Sequence, residues 1–596
     1  MGRSDPGRRW VDELCRANAS VDARTLSGAI ADRVAAALGI PPVVGRAPSL
    51  TVPAGPLAGG GSPPVLDDGG PPGGWNDPWL VGAVHERAER DGSRRRRGAW
   101  YTPRPVVDGL LALAVDEVGV PARIVDPTCG GGAFLLAGLD LLAATGIGPV
   151  DAVGRVAGMD LDPDAVTVSE WSIRLWLAAR LRRAGADPDE TAAAVAALDV
   201  AVEVGDALVD RTPWWGQGPV LVAGNPPFAS PLRAGVIPAS AVRYRDERTG
   251  LLGPYADLAA RHLLRAVELS APGSAVALVL PQSVLAGRDT DDLRRHIDTV
   301  APLRALWAAR EAVFDAGVRA CAVVAVVGAD PPATVALAAG PTVERRGRRP
   351  AGRWTELATA ALGAPDPTAM GERTLGELVT ATAGFRDEHY GLVAACREEA
   401  DLGPAPRLVT VGLVDPLHVG WGHRRCRFGG LDRQRPVIDR AALDIKVAAW
   451  FERRARPKVL LATQSKVLEP VVDRVGDLVP ATPLIAVHAD PDDLDRVAAV
   501  LLAPPVTLWA WQRWFGAALA VDALKLAARQ VAELPLPSDD GAWAEAAAVV
   551  AAADGADAGD GWSAAVAVAE IMTAAYGAPT TVFDWWRRRL GPRPGS

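Results

Sequence analysis

Lysine is nearly missing from this chain. Of the 63 basic residues 59 are arginine, and the four lysines, Lys446, Lys458, Lys466 and Lys525, all fall in the C-terminal third. Any motif that needs a lysine upstream is excluded: a GxxxxGK phosphate loop, a kinase strand lysine, or an N-terminal nuclease built on two acids and a lysine. Asp439 with Asp444-Ile-Lys446 has only a chance likeness to a nuclease signature, on a helical stretch. Cysteine is scarce too. The five (Cys15, Cys129, Cys321, Cys396 and Cys426) are scattered, odd in number and never spaced CxxC, which speaks against a disulfide framework or a structural zinc. No run of 18 uncharged apolar residues occurs, and the start MGRSDPGRRWVDEL has no apolar signal core. A soluble, cytoplasmic chain with no membrane partner is expected. The net charge of -8 excludes a chain coated with basic charge, although not a local basic patch.

What is present is ample material for several cores: 596 residues, 49% of them apolar. Residues 1–40 read as a helical segment (Leu26, Ile30, Val34, Leu38 at helical spacing) and 41–78 as a Pro/Gly-rich linker. From 79 to 330, short β-branched runs alternate with amphipathic helices, the texture of a doubly wound α/β sheet. Residues 331–373, rich in Pro, Gly and Arg, read as a further linker. Residues 374–537 read as a mixed α+β domain and 538–596 as an Ala-rich helical tail.

The unusual residues fall at strand ends, where such sheets bind ligands. Asp126-Pro-Thr-Cys-Gly-Gly-Gly-Ala-Phe-Leu follows the first strand; its glycines let a ligand approach the backbone, and its acid can meet an amino or cationic group. Asp160 ends the second strand, where a carboxylate commonly accepts from a ribose diol, and Asp162-Pro163 reads as the cap of the next helix. Asp206 ends the third strand, placed to accept from an adenine amino group. Three acids without a phosphate-binding lysine point to a nucleoside-like, positively charged ligand that carries no phosphate, which describes S-adenosylmethionine. After the fourth strand, Asn225-Pro226-Pro227-Phe228 forms a rigid loop. The Asn225 side-chain oxygen and the Pro226 carbonyl can both accept from one planar NH2 group, and Phe228 can stack on its ring.

These motifs resemble those of an adenine-N6 DNA methyltransferase of the class I S-adenosylmethionine fold, in the branch that orders Tyr-Thr-Pro, DPxCGxGxFL, NPPF and a C-terminal target-recognition domain. The likeness is strong over 79–330 and one of style over 374–537. It implies a Rossmann-like methyltransferase sheet with a helical N-terminal extension and a C-terminal α+β recognition domain. By the same resemblance Tyr101, Thr102 and Pro103 close over the cofactor, while Asp126, Pro127, Cys129, Gly130, Gly132 and Phe134 line its methionine side. Asp160 holds the ribose, Asp206 the adenine, and Asn225, Pro226, Pro227 and Phe228 form the catalytic loop. Phe314 matches a late motif whose aromatic stacks on the extruded base. One departure is the stretch between Asp126 and Asp160, about 34 residues, which implies an extended helix or insertion around 139–157.

Double-stranded DNA is the expected partner. Between 404 and 470 there are 13 Lys and Arg against 6 Asp and Glu, enough to neutralise phosphates despite the acidic whole. Arg424, Arg425, Arg427 and Lys466 are the DNA-binding candidates, with Arg345, Arg346, Arg348 and Arg349 ahead of the domain. His418, His423 and Cys426 have no suitably spaced fourth ligand, so no metal is expected. A modification enzyme of a restriction or phage-defence system is implied, any nuclease being a separate chain. An RNA base or a protein glutamine amide also presents a planar NH2 group, so either remains an alternative acceptor.

Overall fold

The computed structural model describes residues 6–44, 71, 74–88, 102–210, 218–229, 237–311, 313–314, 319–383, 386–462, 465–516 and 523–593. Two units divide the chain, residues 1–362 and 363–596.

The first unit is built on a nine-stranded sheet: β1 (Ile124–Asp126), β2 (Val156–Asp160), β3 (Val202–Val204), β4 (Leu221–Gly224), β5 (Ala275–Pro281), β6 (Leu303–Ala308), β7 (Ala320–Val326), β8 (Thr334–Ala339) and β9 (Glu344–Pro350). Their order is β3-β2-β1-β4-β5-β7-β6-β8-β9. β1 to β5 run parallel, and β7 is antiparallel to both of its neighbours. β1, β4, β5 and β7 are buried along their whole length, as continuous apolar runs covered on both faces should be. Chain order reverses between β1 and β4, and the loops leaving those two strands meet at this switch point, where sheets of this kind hold ligands in a crevice. The long step from Asp126 to Asp160 is taken up by the helix Ala133–Ala144 and a short extra helix, Pro149–Val153.

The N-terminal segment belongs to this unit. The helix Ala23–Ala37 packs on Trp79–Ala88 and Pro163–Arg183, and Leu26, Ile30 and Val34 are fully buried. Of the expected linker 331–373, residues 334–361 belong to the sheet and its covering helix, and the division between the units falls after 362. β8 lies parallel to β6 and β9 pairs with β8 at the sheet edge, followed by the helix Trp354–Ala361. β9 carries the arginines that obscured it, Arg345, Arg346, Arg348 and Arg349. A strand of charged, outward side chains is a common way to protect a sheet edge, and Arg345 and Arg348 pair with Asp116 and Glu117 on the helix Arg104–Val118.

The second unit holds two four-stranded sheets. One joins Thr380–Ala383, Ile485–His488, Lys458–Ala462 and Glu469–Asp473; the other joins Cys396–Glu398, Pro436–Ile438, Arg407–Val409 and Leu478–Pro480. The residues read as a separate tail form three helices, Asp540–Ala552, Ala558–Ala575 and Thr580–Leu590, that pack on Leu494–Leu502 and Pro504–Trp514. Tryptophans explain the attachment: Trp511, Trp543 and Trp586 are buried there, and the Arg589 guanidinium lies 4.2 Å from the Trp511 ring centre and 4.8 Å from that of Trp585.

Candidate active site

At the tip of β1 the Asp126 carboxylate is buried, accepting from the Thr128 amide at 3.0 Å. Burial holds its pKa well above the ordinary carboxylate range, making it a weaker acid, and the negative charges of Asp160 and Glu86 add to the shift. Such closeness to β4 is possible because residue 224 is glycine; a Cβ there would stand 2.5 Å from the Asp126 Oδ1.

The turn that follows is wound by glycines. Gly130 and Gly132 have φ of 51° and 87°, in the left-handed region that side chains disfavour. The Gly130 amide donates to Asp160 Oδ2 at 2.9 Å, and the Gly131 amide to Glu86 Oε1 at 3.2 Å. Ser169, from the helix Pro163–Arg183, donates to the Gly130 carbonyl at 2.7 Å. Pro127, Cys129 and Phe134 line the base of the turn, all buried. The Cys129 thiol is pushed up by burial and then by Asp160 and Asp126, so it serves as a small apolar wall rather than a nucleophile.

Asp160 also accepts from the Asp162 amide at 2.9 Å, and Asp162 caps the following helix with Pro163 in its first turn. Asp206, half-buried beyond β3, holds its own turn by accepting from the Leu208 amide at 3.0 Å. Beneath it His262 is buried and kept neutral, pushed down to about 4 by desolvation.

β4 delivers Asn225. Its Nδ2 donates to Thr102 Oγ1 at 3.0 Å, which joins the Tyr-Thr-Pro and NPPF segments across the crevice. Pro103 begins the helix Arg104–Val118, and Tyr101 lies outside the described residues. Pro226 is buried and Pro227 half-buried. Phe228 and Phe314 meet each other, ring centres 5.8 Å apart and planes at 82°. Both expected base-stacking rings therefore stand at the same place, in edge-to-face contact with no parallel slot between them.

Three contributors escaped sequence reasoning. Gly82 and Glu86 sit one turn apart on the helix Trp79–Ala88, hence on one face. Asp257 caps the helix Leu258–Leu269 by accepting from the Ala259 amide at 3.0 Å. Its carboxyl is pushed up to about 6 by desolvation, against hydrogen bonds from the Ala259 and Ala229 amides, and the Leu258 amide returns a bond of 3.1 Å to the Ala229 carbonyl. This clip fixes the residue after Phe228. A Gly at i with Glu at i+4, or an acid before an apolar helix, is too common a pattern to signal such roles alone.

In the second unit Arg424, Arg425, Arg427 and Lys466 are exposed. Arg427 projects from a short strand whose neighbours Cys426 and Phe428 point inward. Arg424 is held by Asp415 at 2.8 Å. Elsewhere the basic excess is partly spent on structure: Lys458 is buried against Asp473, Arg407 forks onto Asp477, and Arg435 covers the Trp421 ring at 4.4 Å.

Among solved structures the chain is similar to the Type IIL restriction-modification enzyme MmeI in complex with DNA, with 11% identity, a TM-score of 0.58, and coverage of 86% of this chain and 81% of that one. The likeness is one of fold, a doubly wound Rossmann-like sheet with helices on both faces. Fainter likenesses are to the type IIG restriction endonuclease BpuSI (11% identity, TM-score 0.38, 96% of this chain and 77% of that one) and to the EcoKI M protein of a type I restriction enzyme (16%, 0.28, 44% and 51%). No protein-family model and no curated protein matches the chain. On this sheet, the glycine turn and the Asn225 loop occupy the carboxyl ends of β1 and β4, on either side of the switch point. Among the described residues no helix is long and apolar enough to cross a membrane.

Proposed function

We propose that this protein is a site-specific DNA methyltransferase that moves a methyl group from S-adenosylmethionine to the N6 amine of a flipped adenine, in a restriction-modification or related phage-defence system. The observation that carries the reading is the Thr102–Asn225 hydrogen bond, which draws the two motif segments into one crevice beside the strand-tip acids. A glycine turn flanked by Asp126, Asp160 and Asp206 suits a ligand with a diol, an adenine and positive charge, so the residues present fit S-adenosylmethionine. Bound there, it would supply an electrophilic methyl group.

The chain's own task is the nucleophile. An aromatic amine shares its lone pair with its ring; accepting its two N-H bonds at the Asn225 oxygen and the Pro226 carbonyl favours a more tetrahedral nitrogen and returns that pair. Donation from Asn225 Nδ2 to Thr102 fixes which edge of the amide faces the acceptor. Fixed loop geometry supplies orientation in place of a strong base. Taking the base out of a duplex costs a few kcal/mol, which stacking on Phe228 and Phe314 offsets. Arg425, Arg427 and Lys466 would meet phosphates.

Incubation with methyl-labelled S-adenosylmethionine and genomic DNA, followed by nucleoside analysis, tests this. Label in N6-methyladenine is expected and should vanish in Asn225→Ala, with calorimetric cofactor binding intact. Label in RNA or in a protein glutamine would overturn it in favour of another planar-amine acceptor.

A further inference from the structure

We infer that Glu86, which none of the resembling motifs includes, is a cofactor-binding residue that takes the α-ammonium group of the bound S-adenosylmethionine; the inference rests on the reading that this crevice holds that cofactor. The helix that carries Glu86 is pressed on the glycine turn, backbone to backbone. A Cβ at Gly82 would stand 2.4 Å from the Gly131 carbonyl oxygen, and one at Gly131 would stand 2.7 Å from the Gly82 Cα. Only glycine on both sides permits that approach.

One helical turn later the same face delivers Glu86. Its Oε1 accepts from the Gly131 amide at 3.2 Å, and a Cβ at Gly130 would come within 3.3 Å of the same oxygen. The carboxylate thus lies along the turn rather than out in solvent, close enough to bear on the acidity of Asp126.

The layout leaves one part of the ligand for it. The nucleoside end belongs to Asp160 and Asp206 beyond β2 and β3, and the methyl must be presented at Asn225 beyond β4. The amino-acid tail then crosses the turn after β1, where Asp126 is largely buried and Glu86 is the carboxylate laid over the backbone. An ammonium there would meet a charged acceptor; a purely structural Glu86 would only tie the helix to the turn.

Calorimetry on the full chain separates these roles through three ligands: S-adenosylmethionine, S-adenosylhomocysteine, and 5′-methylthioadenosine, which keeps the nucleoside and lacks the amino-acid tail. Glu86→Gln retains an oxygen for the Gly131 amide and loses the charge. The expected result is weakening of the first two by about 10- to 100-fold, the range of a charge-assisted hydrogen bond, with 5′-methylthioadenosine unchanged. Glu86→Asp, which keeps the charge, should recover part of the loss. Equal weakening of all three ligands, or of none, would overturn the assignment and leave Glu86 a packing residue. Failure of the unmodified chain to bind any of the three would instead remove the cofactor reading itself, and this inference with it.

Discussion

Asn225 and Thr102 stand far apart in sequence and are joined by a hydrogen bond of 3.0 Å from the Asn225 amide nitrogen to the Thr102 hydroxyl. The bond ties the segment entering the sheet to the loop leaving β4. It also orients the amide, since with Nδ2 turned to Thr102 the oxygen faces the other way.

Thr102→Val keeps the side-chain shape and removes the acceptor. Loss of one neutral hydrogen bond at a site that positions a reacting group is worth about 1 kcal/mol or somewhat more, and kcat for methyl transfer should fall about tenfold. Cofactor affinity should move less than about threefold on the same scale, and Thr102→Ser should behave like the parent. Single-turnover rates beside calorimetric Kd values check this; a loss in Kd alone would leave Thr102 with the cofactor-closing role that the motif resemblance implies and remove its role in orienting Asn225.

Phe228 and Phe314 touch edge to face, so a flipped base can enter between them only as the rings part. Phe314→Ala removes one stacking surface, and base–aromatic stacking of about 1–3 kcal/mol corresponds to a drop of roughly 10- to 100-fold in kcat/KM on paired DNA. With the target adenine in a mismatch, already partly unstacked, the drop should be smaller. Equal losses on both substrates would assign Phe314 to packing.

Asp257 gives a pH signature. Its anion accepts the amides that clip Ala229, so transfer should decline as pH falls through about 6, while Asp257→Asn should be slow throughout and lack that limb. The stability contribution has the opposite sign. Because the folded-state pKa is raised, the neutral carboxyl suits the fold better; its increment is complete below about 3.8 and is lost as pH rises through about 6. Rate–pH profiles and melting curves of both proteins measure the two effects separately.

Lys458 and Asp473 form an ion pair in the second unit with side-chain exposures of 0% and 1%, and Asp473 also accepts from the Gly476 and Leu478 amides at 2.8 and 3.1 Å. Lys458→Met strands a buried carboxylate and should cost about 3–5 kcal/mol, read as a lower Tm or denaturant midpoint. Double replacement by apolar residues of similar volume should recover much of that loss. An unchanged midpoint in the single variant would show that the pair contributes little.

The parallel sheet is legible in the chain because its strands are short apolar runs and its glycine turn and NPPF loop are local: Asp126, Gly130, Gly132 and Asn225 each announce themselves within a few residues. β8 and β9 are hidden by their own chemistry. Alanines dilute β8, which prolines and a glycine flank, and four arginines give β9 the character of a solvated linker. The Ala-rich end has the texture of a tail because the reason it packs, the shared tryptophan and arginine stack on Trp511, exists only once the helices are side by side.

By itself the sequence determined which residues stand at the strand ends, carboxylates and glycines with no lysine upstream, since residue chemistry and local turn geometry are local properties. Only the tertiary structure decided that Glu86 lies on the glycine turn, that Asp257 clips the loop after Phe228, and that Thr102 meets Asn225. The first of these depends on two backbones approaching closely at Gly82 and Gly131, and a contact between distant segments leaves no periodic trace in either one.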